Sequence, residues 1–282
     1  MSLPFATSLA RRRSISRSAG LLLALVLFAP ALPAAAQNSQ SPVDITPTNS
    51  RQAPLPPLNF TYGNDVPLSV VNTGSPGEEA TIRADVQPGA GVVVIDTTSY
   101  DLLQFHFHSE AEHEIEGARA AMELHLVHRS NAGELAVVGR LIEVGDENPL
   151  LDVLFSQFPQ MPGATVAISS FNLAGLLPSD LASFRYSGSL TTPPFSEPVR
   201  WNVLASPLYA SQAQIDRFRA LFPDGNSREV QPLNGRIVLT DVAGFAAVPE
   251  PATWAMLILG FGLIGSQLRR GHRRPVRALQ PV

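Results

Sequence analysis

Five of the six histidines in this 282-residue chain lie between residues 106 and 128: His106, His108, His113, His125 and His128. Histidine is the commonest biological ligand for zinc. A strand over Leu102–His108 has a side-chain period of two, so Gln104, His106 and His108 share one face and Leu103, Phe105 and Phe107 the other. A second strand over Ala121–His128 puts Glu123, His125 and Val127 on one face, with Met122, Leu124 and Leu126 opposite. Pairing the two brings His125 to the His106/His108 pair. Three imidazoles then hold a Zn2+ ion and leave the fourth tetrahedral position to solvent. Neutral ligands leave the metal its full charge, an arrangement that brings the pKa of bound water toward neutrality. Gln104 and Glu123 each sit two residues from a ligand on its own face, where they can accept the remaining ring N–H groups and fix their orientation. A purely structural metal is the alternative for this trio. His113 and His128 read as hydrogen-bonding residues, and the sixth histidine, His272, as part of a tail.

The elements that must position these residues are short β-type runs broken by turn signals: Val66–Val71, Thr81–Val86, Val92–Asp96, Leu102–His108, Ala121–His128, Leu135–Val144, Ala164–Ile168, Val199–Leu204 and Arg236–Leu239. Residues 146–158 and 211–221 read as helices; the second opens at Ser211, spaces Ile215, Phe218 and Leu221 helically, and stops before Pro223. Residues 37–57, rich in Pro, Ser, Asn and Gln, read as an extended lead-in. The pattern is a single, mainly β domain over residues 37–246, long enough for a proper apolar core. Its topology is not legible from pattern alone. This stretch carries 11 arginines and no lysine against 23 acidic residues, a net of −12, which argues against nucleic acid as a partner. With no cysteine, no disulfide holds it.

The two ends read as sorting signals. Arg11-Arg12-Arg13 and Arg17 precede an apolar run over 19–29 and the small residues of Leu32-Pro33-Ala34-Ala35-Ala36, the grammar of a signal peptide over 1–36. The arginines leave either the general or the twin-arginine export machinery open. At the other end, 247–282, Pro249-Glu250-Pro251 leads into an apolar stretch and then Arg269-Arg270. That tail resembles the PEP-CTERM sorting signal of Gram-negative bacteria. The resemblance implies export to the periplasm, cell surface or extracellular matrix, with a sorting protease as a partner. It also leaves open transient or lasting inner-membrane anchoring through a transmembrane helix over 252–268.

Two blocks carry a wider resemblance, spanning about residues 40–240. One is Gln104-Phe105-His106-Phe107-His108, Glu112-His113, Gly117 and Glu123-Leu124-His125-Leu126-Val127-His128; the other is Tyr186-Ser187-Gly188-Ser189-Leu190-Thr191-Thr192-Pro193-Pro194 with Glu197, Val199 and Trp201. Both resemble the alpha class of carbonic anhydrases, zinc lyases in which three-histidine catalytic zinc is best known. The resemblance implies a central twisted, mostly antiparallel sheet with a few short helices and a conical cleft. It implies reversible hydration of carbon dioxide to bicarbonate and a proton by zinc-bound hydroxide, with His106, His108 and His125 as ligands. Thr191 and Glu112 would orient the nucleophile and Thr192 would help place bicarbonate. Val127, Val137, Leu190, Val199 and Trp201 would form the apolar wall for carbon dioxide. The competing expectation is a surface or biofilm-matrix protein that keeps the fold and zinc with weak or no catalysis.

Three departures qualify the match. Where the family usually carries a histidine proton shuttle, this chain has Ser75, with Glu78 or Glu79 as alternative proton carriers. The aromatic lead-in that usually covers part of the cleft is missing, which should expose apolar surface, with lower stability or a partner subunit in a homodimer as the alternative consequences. The position of a cysteine common in exported bacterial members holds Phe195.

Overall fold

A computed structural model describes residues 39–74, 80–246 and 250–271. In chain order the strands are β1 (Asp44–Ile45), β2 (Ser50–Gln52), β3 (Asn59–Tyr62), β4 (Val66–Asn72), β5 (Ile82–Val86), β6 (Gly91–Ile95), β7 (Thr98–His108), β8 (Glu114–Ile115), β9 (Met122–Ser130), β10 (Leu135–Val144), β11 (Thr165–Phe171), β12 (Ser183–Gly188), β13 (Val199–Ala210) and β14 (Val238–Thr240). The α-helices are α1 (Pro149–Phe155), α2 (Gln212–Arg219) and α3 (Glu250–Gly271). Twelve strands form one sheet in the order β11-β4-β5-β7-β9-β10-β13-β12-β14-β2, with β3 and β6 joined to β7 off that path. Most pairs are antiparallel; β10–β13 and β14–β2 run parallel, and β1–β8 makes a separate parallel pair. The mainly β, mostly antiparallel expectation holds.

β7, β9 and β10 lie at the middle of the sheet, and apolar clusters cover both of its faces there. On one face Phe105, Phe107, Leu124 and Leu126 join the larger core with Ile82, Phe171 and Phe218. On the other, Val127, Val137, Val199 and Trp201 pack together. Burial on both sides explains why β9 has no alternation of exposure, all but one of its residues being buried. The histidine face of β9 belongs to the second side.

All nine strands read from the sequence form. One detail of the period does not: Leu103 was expected beside Phe105 and Phe107 on the core face. A bulge between Leu102 and Gln104 in the β7–β9 register inserts one residue, so Leu102 turns into the core and Leu103 turns out of it. The first expected helix is also shorter, because Asn148 caps α1 by accepting from the Leu150 and Leu151 amides, with Pro149 as its first residue. Ser211 and Gln214 form a capping box at α2, which buries Ile215 and Phe218. The lead-in is not simply extended, since it supplies β1 and β2.

In the tail, α3 forms, but no helix among the described residues is long and apolar enough to cross a membrane. The expected transmembrane helix over 252–268 is therefore not supported. α3 has 22 residues, but its continuously apolar run, 255–265, rises only about 16 Å against roughly 30 Å of hydrocarbon. The signal segment 1–36, Ser75, Glu78, Glu79, Pro249 and His272 lie outside the described residues.

Candidate metal centre and active site

The antiparallel register of β7 and β9 sets His106 directly opposite His125 and His108 opposite Glu123. Directly opposed residues share a face with Cβ atoms about 5 Å apart. The three imidazoles converge accordingly, with ring centroids 5.0 Å apart for His106–His108, 5.2 Å for His106–His125 and 4.6 Å for His108–His125. Each can offer one nitrogen such that the three atoms lie within 4.8 Å of one another, and all three residues are buried.

The other nitrogen of each ring meets an acceptor. His106 Nδ1 is 2.9 Å from Gln104 Oε1, and His108 Nδ1 is 3.0 Å from the Asn226 carbonyl. His125 Nε2 is 3.0 Å from Glu123 Oε1, an ion-pair approach set off the line of a hydrogen bond. The sequence named Gln104 and Glu123 in these places. It did not name Asn226, which sits 118 positions from His108 and acts through its backbone.

Glu123 does more than hold one ligand. Its Oε2 accepts from the amides of Glu112 and His113, both at 2.9 Å, and its Oε1 meets His113 Nδ1 at 2.8 Å. His113 Nε2 in turn lies 2.7 Å from the Tyr186 hydroxyl. His113, Glu123 and His125 are thus close enough to look like a second metal group, but their atoms are engaged with one another. Burial by itself would raise the Glu123 pKa; the adjoining His113 and His125 outweigh it and hold the carboxylate well below its usual range. Burial holds His125 down at about 4 against the pull of Glu123, so its imidazole is neutral, as a metal ligand must be. We assign the charge of this pair to Glu123, whose two backbone donors favour the anion.

Glu112 is 1% exposed, and its Oε1 accepts from the Arg228 amide at 2.9 Å. Its carboxylate approaches the ligands, at 3.5 Å from His108 Nδ1 and 3.9 Å from His125 Nδ1. Burial pushes its pKa up, while His125, the Arg228 amide and, more weakly, the Thr191 hydroxyl draw it down. Thr191 and Glu112 therefore lie together beside the histidines.

A cavity of about 220 Å³ opens on His106 and His125. Val127, Leu135, Val137, Leu190 and Trp201 line one part of it, and Gln104, Thr191 and Thr192 give it polar groups. Val199 was expected on that wall; it is instead 1% exposed within the apolar cluster around Trp201 and does not line the cavity. Leu135 lines it unforeseen, although its place at the start of a strand next to the Val127 strand was a usable signal. His128 faces the opposite core, with Nε2 2.6 Å from the Tyr62 hydroxyl.

The donor set fits zinc: three buried imidazoles, outer nitrogens oriented by acceptors, and an adjoining cavity. Comparison with known proteins agrees with the geometry. The model of the eukaryotic-type carbonic anhydrase family matches residues 29–242, and that of the PEP-CTERM protein-sorting motif matches 247–274. A carbonic anhydrase of Nostoc is 40% identical over 204 residues, covering 71% of this chain and 75% of that protein. One from Klebsiella pneumoniae is 41% identical over 203 residues, covering 71% and 79%. Among solved structures, the alpha-carbonic anhydrase of Thermovibrio ammonificans, in complex with the inhibitor sulfanilamide, superposes with a TM-score of 0.67 at 38% identity, covering 72% of this chain and 87% of that one. That of Photobacterium profundum gives 0.66 at 38%, covering 73% and 90%. The chain is a member of the alpha carbonic anhydrase family of enzymes, with a PEP-CTERM sorting motif at its C-terminus.

Proposed function

We propose that the chain is a zinc-dependent enzyme that interconverts carbon dioxide and bicarbonate, with His106, His108 and His125 holding the metal. The observation that carries the reading is the convergence of three buried imidazoles whose outer nitrogens meet Gln104, Asn226 and Glu123. Zinc bound there supplies a Lewis acid that brings the ionisation of water near neutral pH.

The protein's own groups do the rest. Glu112, its carboxyl beside the ligands, accepts a hydrogen bond from the Thr191 hydroxyl, which leaves the threonine oxygen as an acceptor toward the attacking water and points that water's lone pair at carbon. Val127, Leu135, Val137, Leu190 and Trp201 give a linear apolar substrate a dry wall and demand no charged clamp. Thr192, on the polar side, positions bicarbonate. The proton must then leave. The five described histidines are all buried, 4% exposed at most, and the shuttle position is Ser75, whose hydroxyl does not titrate near neutrality. Proton release therefore passes to small external buffers and limits turnover.

The folded domain spans residues 37–246, preceded by a signal peptide over 1–36. The tail over 247–282 directs the exported protein to the envelope or surface of a Gram-negative cell, where a sorting protease removes it. A homodimer is a further expectation of the shortened lead-in. The test is the carbon dioxide hydration rate of the purified chain with one equivalent of zinc, measured beside His106→Ala. Loss of hydration in the variant is expected. A fully metallated wild type with no hydration above background overturns the reading.

A further inference from the structure

The turn that carries Thr191 and Thr192 ends in a residue held where its type does not belong. Phe195 has φ +57°, the left-handed region that disfavours a side chain with a Cβ and is unusual for a bulky one. Such a conformation persists only where its surroundings over-determine it. Here they do. The Phe195 amide donates to the Thr192 carbonyl at 2.8 Å, which closes the turn, and the Phe195 carbonyl accepts from Gln40 Nε2 at 3.3 Å. Over its ring lies the Arg228 guanidinium, 3.9 Å from the centroid.

Arg228 is tied at three further points. Its side chain donates to the Ser41 carbonyl at 2.7 Å and to Gln40 Oε1 at 2.9 Å. Its backbone amide donates to Glu112 Oε1. Gln40 also donates to Glu197 at 2.6 Å, on the far side of the same turn. One arginine thus touches the N-terminal strap, the threonine turn and the carboxylate that pairs with Thr191. In a chain without cysteine, that join is wholly noncovalent.

We propose that Arg228 and Phe195 form a latch, a pair of positioning residues that hold the Thr191–Thr192 turn in register with Glu112. Neither touches substrate. The stack fixes the strained turn from above, while the Arg228 amide fixes the carboxylate, so one group sets the separation between the two halves of the proton-holding pair. This rests on the function proposed above for Thr191 and Glu112.

Phe195→Gly in the full, zinc-loaded chain separates latch from scaffold. Glycine accepts φ +57° without strain, so the substitution relieves the backbone while removing the ring. A merely structural Phe195 would show unchanged turnover at equal or higher Tm. The latch instead predicts a fall in kcat/KM for hydration of roughly threefold with Tm little changed, a size in keeping with a partly exposed cation–π contact. Faster amide hydrogen exchange over 190–198 should accompany it. Phe195→Trp keeps the aromatic face and should restore most of both, whereas Arg228→Met should mimic the glycine variant. Wild-type kcat/KM and exchange in Phe195→Gly overturn the latch, as does a Phe195→Trp variant no better than the glycine one. If the wild type hydrates nothing, the proposed function fails, and the exchange rates alone still decide the latch. Should Arg228→Met not fold, the two Phe195 variants carry the test.

Discussion

Replacing Glu123 with glutamine changes one atom and should unsettle the whole metal centre. The wild-type carboxylate receives two backbone amides on Oε2, while Oε1 meets His113 Nδ1 and approaches His125 Nε2. A glutamine has one oxygen and one NH2 group. With its oxygen toward the two amides, the NH2 faces two ring nitrogens that must each turn acceptor. With its NH2 toward the amides, two buried donors oppose a donor. Hydrogen bonds to an ionised group contribute about 1.5–3 kcal/mol each, and a stranded buried donor costs a similar amount. Since Glu123 is fully buried, solvent screening does not reduce these figures. Losing the charge on two such bonds, with partial relaxation, gives a loss of stability of about 3 kcal/mol in Glu123→Gln. Zinc affinity should also fall, by roughly tenfold to a hundredfold as for other ligand-orienting partners. Urea unfolding of the metal-free protein measures the first, and zinc competition with a chromophoric chelator the second. Wild-type zinc affinity in a stably folded Glu123→Gln protein would refute the role assigned to this carboxylate.

Three further outcomes follow from the same geometry. Gly139 lies opposite His125, and a Cβ there would come within 2.9 Å of Glu123 Oε1; Gly139→Ala should weaken zinc binding with a smaller loss of stability, and equal affinity would show that Glu123 moves without consequence. Burial holds His128 down at about 4 from 6.5, so the unfolded chain takes its proton first. Its contribution is complete above pH 6.5 and is lost as pH falls toward 4, ~3 kcal/mol in all; urea unfolding of His128→Gln across that window should lose about that much less than wild type, and parallel curves would count against it. Finally, added imidazole should raise kcat for hydration severalfold at low buffer concentration, as expected where no accessible histidine carries the proton. Stopped-flow rates that ignore buffer would exclude that account.

What lay open in the sequence was local. A two-residue period and the spacing of His106, His108 and His125 decide that these side chains share a face once two strands pair, and Gln104 and Glu123 follow from the same period. Nine strands, β4–β7, β9–β11, β13 and β14, were legible because alternation and turn residues act over a few positions, whereas β3 and the six-residue β12 were not read. What escaped was set by partners distant along the chain. β1, β2 and β8 have only two or three residues each and exist because another strand meets them. The bulge at Leu103 answers to the β9 register and not to its own composition. The Asn226 carbonyl and the Arg228 amide belong to the backbone, which every residue has, so no side-chain pattern could mark them. Val199 and Leu135 look alike as apolar strand residues, and only the packing of β10 and β13 decides which one reaches the cavity. The ligand set of this protein is thus written in its spacing, whereas the shape of the cleft and the support of its charges arise from contacts that only the closed sheet creates.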